Sequence, residues 1–182
     1  TLGQINQWLD FLEIKDEDFM AFTKATYKLC IRFEDFYKKG DGGFYYPFGG
    51  CCENTFLGNK EFWFFKKKFF PKTPLSDYAT SISPSMALVN NNVLFKNENQ
   101  ELPGFNFKTD VAYHFDASKF GEWLREYYCK PRGVKHILEN IDSIEKNEEG
   151  IKTLNNKYSA DLFIDCTGFK SLLLGKTLKE PF

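Results

Sequence analysis

Histidine is scarce in this chain. There are two, His114 and His136, and neither stands at a zinc-ligand spacing from a cysteine, so the pattern offers no metal centre. The cysteines at 30, 51, 52, 129 and 166 are odd in number and form no paired Cys-x-x-Cys framework. They read as free thiols of a cytosolic protein, with adjacent Cys51 and Cys52 the one place where a vicinal bridge or redox chemistry competes with that. A surplus of charge is also missing: 24 basic against 25 acidic residues, net −1, leaves no electrostatic footprint for nucleic acid. No apolar run approaches the roughly 18 residues of a membrane span, and the opening residues lack the pattern of a signal peptide. A cytoplasmic location is therefore expected.

Aromatic residues, by contrast, are abundant: they make up 18% of the chain, 21 of them phenylalanine, within an apolar fraction of 42%. Such a surplus fills a large core or lines an aromatic pocket. At 182 residues one large or two small domains fit.

Ile5, Trp8, Leu9 and Leu12 recur at helical spacing and predict an amphipathic helix. Asp16-Glu17-Asp18 opens a second helix with acids at its positive end. Residues 27–37 alternate, Tyr27, Leu29, Ile31 and Phe33 against Lys28, Cys30, Arg32 and Glu34, which predicts a half-buried strand. A turn at Gly40-Asp41-Gly42-Gly43 leads into the aromatic stretch 44–50. Residues 61–70 suit a helix, and 81–99 read as polar, proline-broken loop with short helical turns. Residues 107–115 look strand-like. Asp116 then caps a helix whose apolar face is Phe120, Trp123, Leu124, Tyr127 and Tyr128, closed by Gly133. Strands at 134–137 and 141–146 follow, then a hairpin turn at Gly150 and a strand at 151–154.

The stretch SADLFIDCTGFKSLLLG, residues 159–175, combines three signals. Leu162-Phe163-Ile164 is a short apolar run of the kind buried on both faces of a sheet. Cys166-Thr167-Gly168 is a turn, and 169–178 has helical spacing. In doubly wound folds ligands sit at that end of a strand. Asp165 is costly to bury there without a partner; the alternative is an acid that caps the helix or ties the turn. The succession of strands and helices suits an α/β sheet with an antiparallel excursion.

The segments AYHFDA (112–117), GVKHILENI (133–141) and ADLFIDCTGFKSLLLGKTLKEPF (160–182), with ATYKLCIRFEDF (25–36) and FYYPFG (44–49) in matching order, resemble the flavin-dependent tryptophan halogenase family. The resemblance implies an FAD-binding monooxygenase-like fold, a GR2-type Rossmann sheet with that antiparallel excursion. On this expectation, 1–182 is an internal fragment incomplete at both ends. Residues 25–50 form the substrate- and lysine-bearing strand and loop, and 105–182 part of the FAD-binding subdomain. The family's Gly-x-Gly-x-x-Gly loop, its W-x-W-x-I-P segment, its later glutamate and its Thr-Gly halide pair find no match here. The implied enzyme uses reduced FAD, O2 and a halide to halogenate a small aromatic substrate. A separate flavin reductase is the implied partner, and a homodimer one assembly.

Residue by residue, Lys28 matches the family's essential lysine, which lies between flavin and substrate and handles hypohalous acid. A lysine can hydrogen-bond that acid as a cation or attack it as an amine; an arbitrary strand lysine would simply be solvated. Phe48 matches an aromatic that stacks on the indole substrate. Tyr46 stands where tryptophan-specific members carry histidine, which opens the slot to an indole, a pyrrole or a phenol. For both, ordinary core packing is the plain alternative. Ile141 corresponds to a position that touches the adenine end of FAD through its backbone. Asp165 and Gly168 belong to the turn beside the cofactor, with Asp165 chiefly organising it. His114 and Asp116 read as structural. Two other functions stay open: a flavin-dependent aromatic hydroxylase, in which Lys28 has no special duty, and a non-enzymatic aromatic-rich binding domain.

Overall fold

Helix α1 (Gln4–Phe11) turns Leu9 inward, and α2 (Asp16–Thr23) buries Phe19 against it. Acids fill the first turn of α2, and the Asp18 carboxylate accepts the Lys15 amide at 2.8 Å, closing a capping box. The computed structural model describes residues 1, 3–51, 60–94 and 102–180, which divide into two units, 1–133 and 134–182. The core of the first unit joins Leu9, Ile14, Phe19, Tyr113, Phe120 and Trp123. Phe19 is its centre, fully buried, with the rings of Tyr113, Phe115, Phe120 and Trp123 edge-on at 5.3–6.3 Å. Such contacts add roughly 0.5–1.5 kcal/mol each beyond area burial.

The strand expected over 27–37 is two strands. β1 (Thr26–Lys28) pairs antiparallel with β4 (Ala112–His114), whereas β2 (Cys30–Glu34) pairs with β3 (Gly43–Pro47). The chain changes sheet at Leu29. Residues 107–115 also divide, because Asn106 starts a short helix: its side chain accepts the Lys108 amide at 2.9 Å, and Asp110 reaches back to its N–H at 2.7 Å. The result is α6 (Phe107–Asp110), and only 112–114 is strand.

Helix α3 (Lys60–Phe69) forms as its sequence suggests, with Trp63 buried and its indole N–H donating to Asp77 at 3.1 Å. The stretch 81–99, expected as loop with short helical turns, is helical from its start: Ser81 and Ile82 end α4 (Asp77–Ile82) and α5 (Pro84–Asn91) follows; residues 95–99 lie outside the described residues. Pro84 occupies the first turn of α5, where a missing N–H costs nothing, so the apparent breaker is a helix start. Asp116 caps α7 (Ala117–Trp123) as expected, accepting the Ser118 and Lys119 amides. The helix runs on through a π-turn segment, Leu124–Cys129, and a 3-10 turn, Lys130–Arg132, to Gly133 at φ 82°.

In the second unit, β5 (Ile144–Asn147) and β6 (Gly150–Leu154) form an antiparallel hairpin. The strands expected at 134–137 and 162–164 form no ladder among the described residues, and Ile137, Leu162 and Ile164 are exposed. A parallel strand is made by its neighbours, since its N–H and C=O groups have no partner within the segment itself. Among the described residues the architecture mixes helices and strands, the strands lying in three two-stranded antiparallel sheets, as a partial FAD-binding fold would have. No helix of the described residues is long and apolar enough to cross a membrane.

Tyr27 and Tyr113 lie opposite each other in the first sheet, and their hydroxyls donate to the two oxygens of Asp16 at 2.7 and 2.6 Å. Burial, reinforced by the Asp16 carboxylate, raises the Tyr113 hydroxyl far above the usual phenol range. In the unfolded chain it ionises near pH 10. The stability linked to it is therefore complete below about pH 10 and is lost as pH rises beyond that. Denaturant unfolding of the intact protein from about pH 9 to pH 11.5 should show stability falling with pH. Tyr113→Phe should flatten that slope; an unchanged slope assigns it to another group.

Candidate functional site

Lys28 ends β1, and the sheet change at Leu29 decides what it meets. The Phe48 amide donates to the Leu29 carbonyl at 2.8 Å, which brings the loop after β3 back beside β1. The Lys28 Nζ lies 5.5 Å from the centroid of the Phe48 ring and donates to the Thr1 carbonyl at 3.0 Å. Phe48 is itself buried, and its carbonyl accepts the hydroxyl of buried Ser85, from α5, at 2.8 Å. Gly49 follows at φ 90°, and a Cβ there would stand 2.5 Å from the Asp110 carboxyl carbon. Only glycine satisfies both the dihedral and the close approach.

A cavity of about 380 Å³ opens here, between the Tyr46–Gly49 stretch, Gln4 and Gln7 of α1, and Thr109. Its size suits a small ligand. Among the described residues its lining contains aromatic rings, carboxamides and a hydroxyl but no charged side chain. Tyr46 is 62% exposed, whereas Phe48 forms part of the wall. Lys28 does not line the cavity; it lies against Phe48, which does. The expected trio thus comes together through Phe48.

The Lys28 charge also reaches two neighbours. His114 is held below the usual imidazole range by burial first and by Lys28 second, so it is neutral at neutral pH. Burial pushes the Cys30 thiol up, with Lys28 acting in the opposite sense. Asp116, occupied as a helix cap, is no acid–base partner for His114. Cys30, Cys51, Cys129 and Cys166 are free thiols; Cys52 lies outside the described residues.

Asp165 and Ile141 belong to the second unit. One Asp165 oxygen accepts the Thr167 amide at 3.0 Å and its hydroxyl at 2.6 Å; the other accepts the Leu173 and Leu174 amides at 2.8 and 3.2 Å. The carboxylate therefore ties the turn to the π-helical segment Leu172–Leu178. The Thr167, Leu173 and Leu174 amides are thereby occupied. The Gly168 and Phe169 N–H groups make no hydrogen bond among the described residues, and Gly168 adopts φ 61° with open space where a Cβ would stand. Ile141 likewise leaves its N–H and C=O without a hydrogen bond among the described residues. A free backbone donor–acceptor pair fits the edge of an adenine, and free amides on a glycine turn fit an anionic linker. The residues present are compatible with a dinucleotide cofactor.

Asn106, Asp110, Ser85 and Asn155 support these positions, and the sequence did not single them out. The Asn155-Asn156 pair after a strand reads as turn chemistry and no more.

The hydrogen bonds from the Thr167 hydroxyl and amide, then from Leu173 and Leu174, hold the Asp165 carboxyl down at about 2. Because this value is depressed, the linked stability is present above about pH 4 and is lost as pH falls through the folded value. Carboxyl-carbon NMR should give a midpoint near that value for Asp165. A midpoint near the ordinary 3.9 would show that the turn is not held this way.

The tryptophan halogenase family model matches residues 1–182. Tryptophan 6-halogenase SttH of Streptomyces toxytricini is 30% identical over 204 residues, covering 100% of this chain and 38% of SttH. Among solved structures, apo VirX1 superposes with a TM-score of 0.85 and 36% identity over 100% of this chain and 37% of VirX1. Tar14, a tryptophan C-6 flavin-dependent halogenase from taromycin biosynthesis, gives a TM-score of 0.76 and 27% identity over 100% of this chain and 37% of Tar14. The chain therefore spans less than two-fifths of the length of these relatives. Its mixed helices and small antiparallel sheets are part of the fold that those two structures share.

Proposed function

Since this chain belongs to the tryptophan halogenase family, we propose that it forms part of a flavin-dependent halogenase in which Lys28 positions hypohalous acid toward a small aromatic substrate. The observation that carries this reading is the Lys28 Nζ lying 5.5 Å over the Phe48 ring, at the wall of an uncharged aromatic cavity.

When bound, reduced FAD together with O2 and a halide supplies the hypohalous acid, with water and oxidised FAD as the other products. Lys28 then acts on that acid. Its Nζ hydrogen-bonds the hypohalous oxygen and directs the halogen at a ring carbon. The arene's π electrons form the carbon–halogen bond as the oxygen–halogen bond breaks; the oxygen leaves as water once the ring proton is lost. Phe48 stacks on the arene, and Tyr46, in place of histidine, admits an indole, a pyrrole or a phenol. Gln4 and Gln7 offer neutral polar contacts suited to such substrates. The Ile141 backbone and the Gly168 turn hold FAD, with Asp165 keeping the turn in shape. A separate flavin reductase delivers the reduced cofactor.

Lys28→Ala in the intact protein, supplied with reduced FAD, O2, halide and a panel of indoles, pyrroles and phenols, tests this reading. The variant should bind FAD and consume reduced flavin as the parent does, yet make roughly 100-fold less halogenated product, since misplacing a reactant by an ångström costs about that factor. Lys28→Arg should fail as well, because a guanidinium is bulkier and keeps its protons. Halogenation at the parental rate removes Lys28 from the mechanism. Arrested flavin oxidation instead assigns it to the cofactor and removes it from halogen transfer.

Phe48→Ala should weaken aromatic substrate binding and leave FAD affinity unchanged. Truncating a buried Phe costs about 3–5 kcal/mol of stability, so a thermal melt accompanies the binding titration. A folded variant with parental substrate affinity returns Phe48 to ordinary packing.

A further inference from the structure

We infer that Asn155 is a positioning residue for the cofactor's adenine: its side chain clamps the backbone on both sides of Ile141 and leaves the Ile141 N–H and C=O free to read the base. The inference rests on the proposal that Ile141 contacts adenine, and it adds the residue that makes such a contact selective.

Asn155 follows β6 in the left-handed region, φ 51°, which asparagine tolerates better than most side chains. Its own N–H donates to the Ser143 carbonyl at 2.8 Å. Its Oδ1 accepts the amides of Asp142 at 2.8 Å and Ser143 at 3.1 Å. Its Nδ2 donates to the Asn140 carbonyl at 2.7 Å and to Glu139 Oε1 at 3.1 Å. Both acceptor sites and both donors of the carboxamide are thereby used. Glu139 is fixed in turn by Lys157 Nζ at 3.2 Å and by the Tyr158 hydroxyl.

These bonds bracket Ile141 and skip it. Asn140 is held through its carbonyl and Asp142 through its amide, while Ile141 keeps a donor and an acceptor with no hydrogen bond among the described residues. Among the described residues no β-ladder holds 139–143, so Asn155 supplies the rigidity that a neighbouring strand would otherwise give. An adenine edge offers a ring-nitrogen acceptor next to an amino donor, the complement of one residue's N–H and C=O. Holding that pair in place before binding removes the ordering cost that would otherwise weaken recognition.

The test uses the intact protein, with ADP and IDP competing against FAD and flavin fluorescence as the readout. Hypoxanthine in IDP reverses the adenine donor–acceptor pattern. The parent should prefer ADP by roughly tenfold or more, about the worth of one hydrogen bond. Asn155→Gly keeps the left-handed backbone and deletes the clamp. It should lose roughly tenfold in ADP affinity with IDP affinity and melting temperature nearly unchanged. If Asn155→Gly retains the full preference, the clamp is refuted while the adenine contact stands. A parent that does not distinguish ADP from IDP overturns the adenine contact, and the clamp with it. Equal losses for both nucleotides with a lowered melting temperature also overturn the proposal, making Asn155 a fold residue only.

Discussion

The hydrogen bond from the Phe48 amide to the Leu29 carbonyl is the constraint on which the candidate site depends. It joins the end of one two-stranded sheet to the end of another at the residue where the chain leaves the first. Without it, Lys28 would be a surface lysine on a short strand and Phe48 an aromatic in a glycine-rich loop. With it, the Lys28 Nζ and the Phe48 ring meet, Gly49 comes down on Asp110, and Ser85 caps the Phe48 carbonyl. Each consequence is a close approach that a different residue would obstruct or leave unsatisfied.

Behind that junction stands the aromatic core. Phe19 is surrounded edge-on by four rings, and the two tyrosines of the β1–β4 pair share the Asp16 carboxylate. Most of the aromatic surplus near these elements therefore fills space and fixes the angle between α2, α7 and the small sheet. Among the described aromatic residues, Tyr46 and Phe48 line the cavity. Support of this kind holds the β1–β4 pair that carries Lys28.

The second unit solves a different problem. Its hairpin is the one regular sheet there among the described residues, and the remaining backbone groups are organised by side chains. Asp165 gathers four donors and Asn155 bonds to both sides of Ile141. In both places a polar side chain does locally what a ladder does elsewhere. Among the described residues, Ile141, Gly168 and Phe169 are some of the positions whose backbone groups no such side chain engages.

The sequence by itself determined the features carried by local signals. The spacing of α1, the acids opening α2, the Asp116 cap with its apolar helix face, the Gly150 hairpin and the turn around Asp165 were all legible, because each depends on residues within a few positions. The likeness of whole segments to a halogenase family was legible too, and it marked Lys28, Phe48 and Tyr46. Only the tertiary structure decided that the 27–37 strand divides at Leu29, that Pro84 starts a helix, and that 134–137 and 162–164 form no ladder among the described residues. The meeting of Lys28 with Phe48 and the clamp of Asn155 on Ile141 belong with these. Strand division, strand pairing and side-chain convergence depend on partners far away in sequence, about which an alternating pattern of side chains carries no information.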